Sequence, residues 1–107
     1  MIDVTKCELE DYFYDGECHC YVAYFTYPKE KAEAMGNMDF LEDEPITGEI
    51  VSYCISLTKY DDGGWDMQMS PTVEEGDSLS DVCWFDLYDG VDYDESTIMA
   101  LLKKANI

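Results

Sequence analysis

Cys18-His19-Cys20 is the first place in the chain where residue types and spacing could do chemistry. Two thiols flanking an imidazole read as metal ligands, or as a nucleophile beside its base. Strand geometry works against both. Successive strand residues point to opposite faces, so His19 cannot serve either neighbour. Cys18 and Cys20 share a face but stand roughly 6.6 Å apart along a strand. A structural zinc site needs four convergent ligands. The expectation is core packing for both cysteines and a surface imidazole, with no metal and no catalytic residue.

Asp86, Asp89, Asp92, Asp94 and Glu95 raise a second possibility, calcium. An EF-hand loop requires D-x-[DN]-x-[DN]-G-x5-E. Setting Gly90 at the loop glycine puts Phe85 first and Ser96 last, and neither is a carboxylate. The stretch reads as solvated acids ahead of a capped helix. One His, no Arg and no Gly-rich strand-to-helix loop leave no enzyme constellation. Neither an enzyme nor a cofactor is expected.

Charge carries the functional signal. The 107 residues hold 25 carboxylates against six cations, all Lys, for a net charge of −19. Direct nucleic-acid binding is excluded, because phosphate contacts need clustered cations. An anionic membrane surface is excluded on the same ground. Solubility accounts for net charges up to about 8 in a small domain. The excess costs self-repulsion in the compact state, and the simplest functional reason for it is a basic partner. Carboxylates at i and i+2 on a strand recur every ~6.6 Å, a scale comparable to spaced backbone phosphates. Such a surface suits the cleft of a basic nucleic-acid-binding protein, with Tyr and Trp as apolar anchors. The candidate contact residues are the acids at element ends: Asp39, Glu42, Asp43 and Glu44; Asp61, Asp62 and Asp66; Glu74, Glu75 and Asp77; Asp86, Asp89, Asp92, Asp94 and Glu95. Crowded carboxylates disfavour the charged form, so stability is expected to rise with salt and on mild acidification.

The elements that must position these acids follow from periodicity. Asp15-Gly16 marks a two-residue hairpin turn. It pairs Phe13 with Cys18, Asp11 with Cys20, Leu9 with Val22 and Cys7 with Tyr24. That register buries Leu9, Phe13, Cys18, Cys20 and Val22 and exposes Glu8, Glu10 and His19. Pro28 opens a short helix over Lys29–Met35, stopped by Gly36. Ile46–Lys59 returns to period two, with Val51, Tyr53, Ile55 and Leu57 on one face. Asp61-Asp62-Gly63-Gly64 turns into a fourth strand carrying Trp65, Met67 and Met69, which ends at a loop beginning with Pro71. Val82–Tyr88 is a fifth strand. Asp92 caps a final helix whose apolar stripe is Ile98, Leu101, Leu102 and Ala105.

The order β-β-α-β-β-β-α predicts one α+β domain over residues 1–107. It is an antiparallel sheet of about five strands with one short and one C-terminal helix. Leu, Ile, Val and Phe make up about 21% of the chain, near the ~20% level at which charged chains stay disordered. Nine Tyr and two Trp tip it toward folding. Met1-Ile2-Asp3-Val4 has neither a basic nor an apolar leader, no apolar run spans a membrane, and five cysteines make an odd count. Those features point to a cytoplasmic protein with reduced thiols, monomeric or homodimeric.

Residues 15–36 bring in a resemblance. Asp15-Gly16-Glu17-Cys18-His19-Cys20-Tyr21-Val22-Ala23-Tyr24-Phe25-Thr26-Tyr27-Pro28, followed by a short helix, resembles the opening of the ArdA antirestriction proteins. These are DNA mimics from mobile elements. In size and acidity the chain also resembles phage anti-CRISPR proteins and toxin-immunity proteins. The resemblance implies an inhibitor that occludes the DNA- or RNA-binding cleft of a restriction or CRISPR-type nuclease. It carries over only the acidic character of Glu17, Glu30 and Glu33. An immunity protein neutralising a basic nuclease toxin would ask for the same surface.

Overall fold

The computed structural model describes residues 1–35, 49–73 and 84–107. Within them lies one antiparallel sheet in the order β1-β2-β3-β4-β5. The strands are β1 (Glu8–Asp15), β2 (Cys20–Pro28), β3 (Ile50–Tyr60), β4 (Trp65–Val73) and β5 (Phe85–Asp86). The helices are α1 (Lys29–Glu33) and α2 (Glu95–Ala105), and a 3-10 turn at Val4–Lys6 precedes β1. The chain is α+β in the expected element order.

The core face of the sheet is built from Ala23, Phe25 and Tyr27 of β2, Tyr53, Ile55 and Leu57 of β3, and Met67 and Met69 of β4. Ile98, Leu101, Leu102 and Ala105 of α2 join the same cluster, as the stripe predicted. Strand pairing aligns these residues: Phe25 opposes Ile55, and Ile55 opposes Met69. Each fully buried side chain of this size contributes roughly 1.5–3 kcal/mol, so the central strands hold the fold together.

The hairpin differs from the expected register. Phe13 opposes Val22, Asp11 opposes Tyr24, and Asp15 rather than Asp11 opposes Cys20. The Asp15 carboxylate is the physical reason. Its Oδ1 accepts the N–H groups of Glu17 and Cys18 at 3.0 and 3.3 Å. That Asx arrangement closes a four-residue turn, Gly16–His19, in place of a two-residue one. His19 ends it in the left-handed region at φ 52°, a conformation His tolerates better than most residues.

The buried face is also the opposite one in β2. Leu9 and Phe13 are exposed, Cys18 is exposed and Val22 is half-buried, whereas Cys20 is buried. Glu8, Glu10 and His19 are exposed as expected. A bulge between Leu9 and Asp11 further shifts the ladder.

Smaller departures have local causes. Val51 is exposed because the β3–β4 ladder shifts between Ile50 and Ser52. Pro71 lies inside β4, opposite Tyr53. Among the described residues β5 pairs only with Gln68 and Met69, so the proline interrupts no second ladder. Helix α1 ends at Glu33 with Ala34 as its C-cap. Gly36, Ile46, Val82 and Cys83 lie outside the described residues.

Helix α2 is capped by Asp94, not Asp92. Its Oδ1 accepts the Thr97 N–H at 3.0 Å, and the Thr97 hydroxyl accepts the Asp94 N–H at 3.3 Å. Replacing Asp94 by Ala removes the acceptor and should lower the melting midpoint by several degrees, read by circular dichroism at neutral pH. Asn at the same position should recover most of the loss.

Candidate functional site

The predicted contact acids divide into three sets. Asp39, Glu42, Asp43, Glu44, Glu74, Glu75 and Asp77 lie outside the described residues. Asp61, Asp62, Asp66, Asp86, Asp89 and Glu95 are exposed. Asp92 does not reach the surface: it is 2% exposed, and its Oδ2 accepts the Tyr88 N–H at 2.8 Å. Asp94 is committed to the α2 cap.

Two of the predicted groups meet around Tyr93. Asp66 comes from the start of β4, and Asp86 and Asp89 from β5 and the segment after it. Together with Asp92 they act on one buried phenol. Burial first, then the charges of Asp89 and Asp66, push the Tyr93 phenol above its ordinary range. Asp86 also accepts the Gln68 amide at 3.0 Å, which fixes its position on the sheet.

Asp61 and Asp62 sit on the β3–β4 turn, where Gly63 at φ 91° supplies the left-handed residue. The Asp61 Oδ2 accepts the Tyr14 hydroxyl at 3.3 Å and lies 3.8 Å from His19 Nδ1. This turn and the β1–β2 turn therefore meet at one end of the sheet. Tyr14 and Tyr21 pack there at a steep tilt, with ring centroids 4.8 Å apart. An open depression of about 440 Å³ lies beside them, lined by Tyr21, Lys59, Tyr60, Asp61, Gly63 and Ile107.

The hairpin is the surface that sequence reasoning passed over. Residues 8–28 hold Glu8, Glu10, Asp11, Asp15 and Glu17 and no lysine. Seven of the eight residues of β1 are exposed, the half-buried Asp15 being the other. Tyr12, Phe13 and Tyr14 are each more than two-fifths exposed. On the face away from α2, Phe13 packs on Tyr24 and Tyr24 on Trp84, at centroid separations of 6.1 and 6.2 Å. Glu10 accepts the Thr26 hydroxyl beside them. The signal was present in ELEDYFYD, where neither alternate set is uniformly apolar or polar. A strand that reads this way has neither face covered.

The surroundings of Cys7, Cys18 and Cys54 raise their thiols rather than activate them. Burial pushes the Cys7 thiol up to about 11 and the Cys54 thiol up to about 12. The adjacent Asp15 carboxylate pushes up the exposed Cys18. Reactive cysteines need the opposite shift. Among the described residues no three His, Cys, Asp or Glu side chains converge to hold a metal ion.

The carboxylates with resolved shifts also run against the expected acid stabilisation. Asp3 and Asp94 are both held below the ordinary range. The Thr5 hydroxyl is the main cause at Asp3, and the Ser96 hydroxyl followed by Thr97 at Asp94. A depressed folded value stabilises above the unfolded value, and the contribution is lost as pH falls through the folded one. At these two sites acidification weakens the fold.

No helix among the described residues is long and apolar enough to cross a membrane. Compared with protein-family models, with curated proteins and with solved structures, the chain matches none.

Proposed function

We propose that the chain is an acidic nucleic-acid mimic, encoded by a phage or mobile element. In this reading it occludes the DNA- or RNA-binding cleft of a cytoplasmic host defence nuclease of restriction or CRISPR type. The mechanism is stoichiometric occupancy without catalysis. The observation that carries the reading is the net charge of −19, more than twice what solubility asks of a small domain. Exposed aromatics set among the acids support it, since they supply anchors that charge alone does not.

Competition tests the reading. Tagged protein should capture a basic nucleic-acid-binding protein from host lysate at low salt. Excess duplex DNA should displace it, and capture should fall steeply between about 50 and 200 mM salt, because both ligands use the same cations. Capture of a secreted nuclease toxin would favour the immunity-protein alternative. Binding that DNA does not displace would sink both.

A further inference from the structure

We infer that the outer edge of β1 is a strand-addition site for an extended, lysine- or arginine-bearing segment of the partner. The inference rests on the cationic partner proposed above, but not on that partner being a nuclease.

β1 ends the sheet, and among the described residues no strand lies on its outer side. An edge strand presents a row of unpaired N–H and C=O groups. Native edges are blunted by charged side chains, most often lysine, by proline, by a bulge or by a covering element. β1 has no lysine and no proline, and seven of its eight residues are exposed. Its devices are the bulge between Leu9 and Asp11 and its own carboxylates, which repel an acidic strand and attract a basic one. That leaves Asp11–Asp15 as a regular run, paired with β2 on one side only, with the Tyr12 N–H held by the Asp11 Oδ1 at 2.9 Å until a strand displaces it.

Side chains on this run alternate in chemistry. Asp11 and Phe13 share the face away from α2, opposite Tyr24 and Val22. Tyr12 and Tyr14 share the other, opposite Ala23 and Tyr21. A strand laid alongside would meet aromatic rings on both faces and carboxylates at Asp11 and Asp15. Charge selects the occupant. A second copy would set these carboxylates against their own kind, and like charges directly across strands are destabilising. Lysine or arginine would pair with the acids and lie over the rings by cation–π contact. Main-chain bonds would supply affinity and the alternating side chains specificity, as in other strand-addition sites.

The probe is a short synthetic peptide alternating lysine with valine and threonine, with its glutamate-for-lysine counterpart as control. Titrated into the full chain, the basic peptide should slow amide exchange at alternate positions of Asp11–Asp15. Amide shifts should concentrate on β1, and the acidic peptide should do neither. Two variants of matched charge separate the edge from general acidity. Asp11→Lys with Phe13→Lys alters β1; Asp62→Lys with Tyr60→Lys alters the β3–β4 turn. Each replaces one carboxylate and one exposed aromatic. The β1 variant should bind the peptide about tenfold more weakly or worse. The turn variant should stay within about threefold of the parent.

Equal loss in both variants, loss in the turn variant alone, or binding without protection in β1 overturns the inference. The protection measurement uses the unaltered chain, so misfolding of a variant leaves the test intact. DNA displacement of a captured nuclease is read separately. If peptide binding fails while DNA still competes, the edge is not the contact and the mimic reading survives. If the peptide binds β1 and DNA never competes, the edge stands and the mimic reading falls.

Discussion

Phe25→Ala should cost about 3–5 kcal/mol, whereas Phe13→Ala should cost no more than about 1 kcal/mol. Phe25 is fully buried between Ile55 and the helix-side core. Its removal forfeits the transfer energy of the ring and leaves a cavity among neighbours that relax only in part. Phe13 is 43% exposed and touches Tyr24 at the sheet edge, so it loses at most one aromatic contact. A small domain has only about 5–15 kcal/mol in total, so Phe25→Ala should be close to unfolded at physiological temperature. Urea denaturation of the two variants gives the answer. The hairpin register read from the sequence alone requires the reverse order, because it buries Phe13. Equal costs, or a larger cost at Phe13, would mean that the sheet presents its other face to α2.

That reversal shows where sequence legibility ends. β3 and α2 were readable because one alternate set is apolar and the other is not. Tyr53, Ile55 and Leu57 alternate with Ser52, Cys54 and Ser56, and the α2 stripe is flanked by Lys103 and Lys104. β2 offers no such contrast. Val22 and Tyr24 are as apolar as Ala23 and Phe25, so its periodicity divides the faces correctly without saying which is buried. β3 settles the matter by setting Leu57 and Ile55 opposite Ala23 and Phe25, a long-range choice no hairpin argument contains. The turn failed for a different reason. Asp15 stabilises either a two-residue or a four-residue turn, and only its two N–H partners distinguish them. The candidate surface suffered the same limit. Acids at Asp61 and Asp62 could be found as a turn, but their meeting with Tyr14 and His19 depends on which strand ends coincide. Asp92 reads as a surface acid in sequence and is withdrawn because the segment before α2 folds back, the Ile2 N–H reaching the Asp92 carbonyl at 2.8 Å.

Alkali should weaken the fold before the buried Tyr27 and Tyr53 ionise, and the two raised thiols should be the cause. Cys7 is 1% exposed beneath α2, with its Sγ 3.7 Å from the Asp3 carbonyl. Cys54 is half-buried on the opposite face, where Glu10 adds a negative neighbour. Burial holds them at about 11 and about 12. A thiol in the unfolded chain ionises near 8.5. A raised folded value means the contribution is complete below the unfolded value and is lost as pH rises through the folded one. Each unit of that interval costs about 1.4 kcal/mol per fully buried thiol, and solvent screening reduces the share of Cys54. By about pH 10, below the raised range of Tyr27 and Tyr53, the loss should reach roughly 2 kcal/mol. Urea midpoints taken between about pH 8 and pH 10 measure it. The Cys7→Ala/Cys54→Ala variant starts from lower stability but should lose most of the slope, because alanine has no proton to release. Cys18 stays in both proteins, so an unchanged slope would assign the alkaline loss to groups other than the buried thiols. It would then place Cys7 or Cys54 in a wetter environment than the sheet and α2 provide.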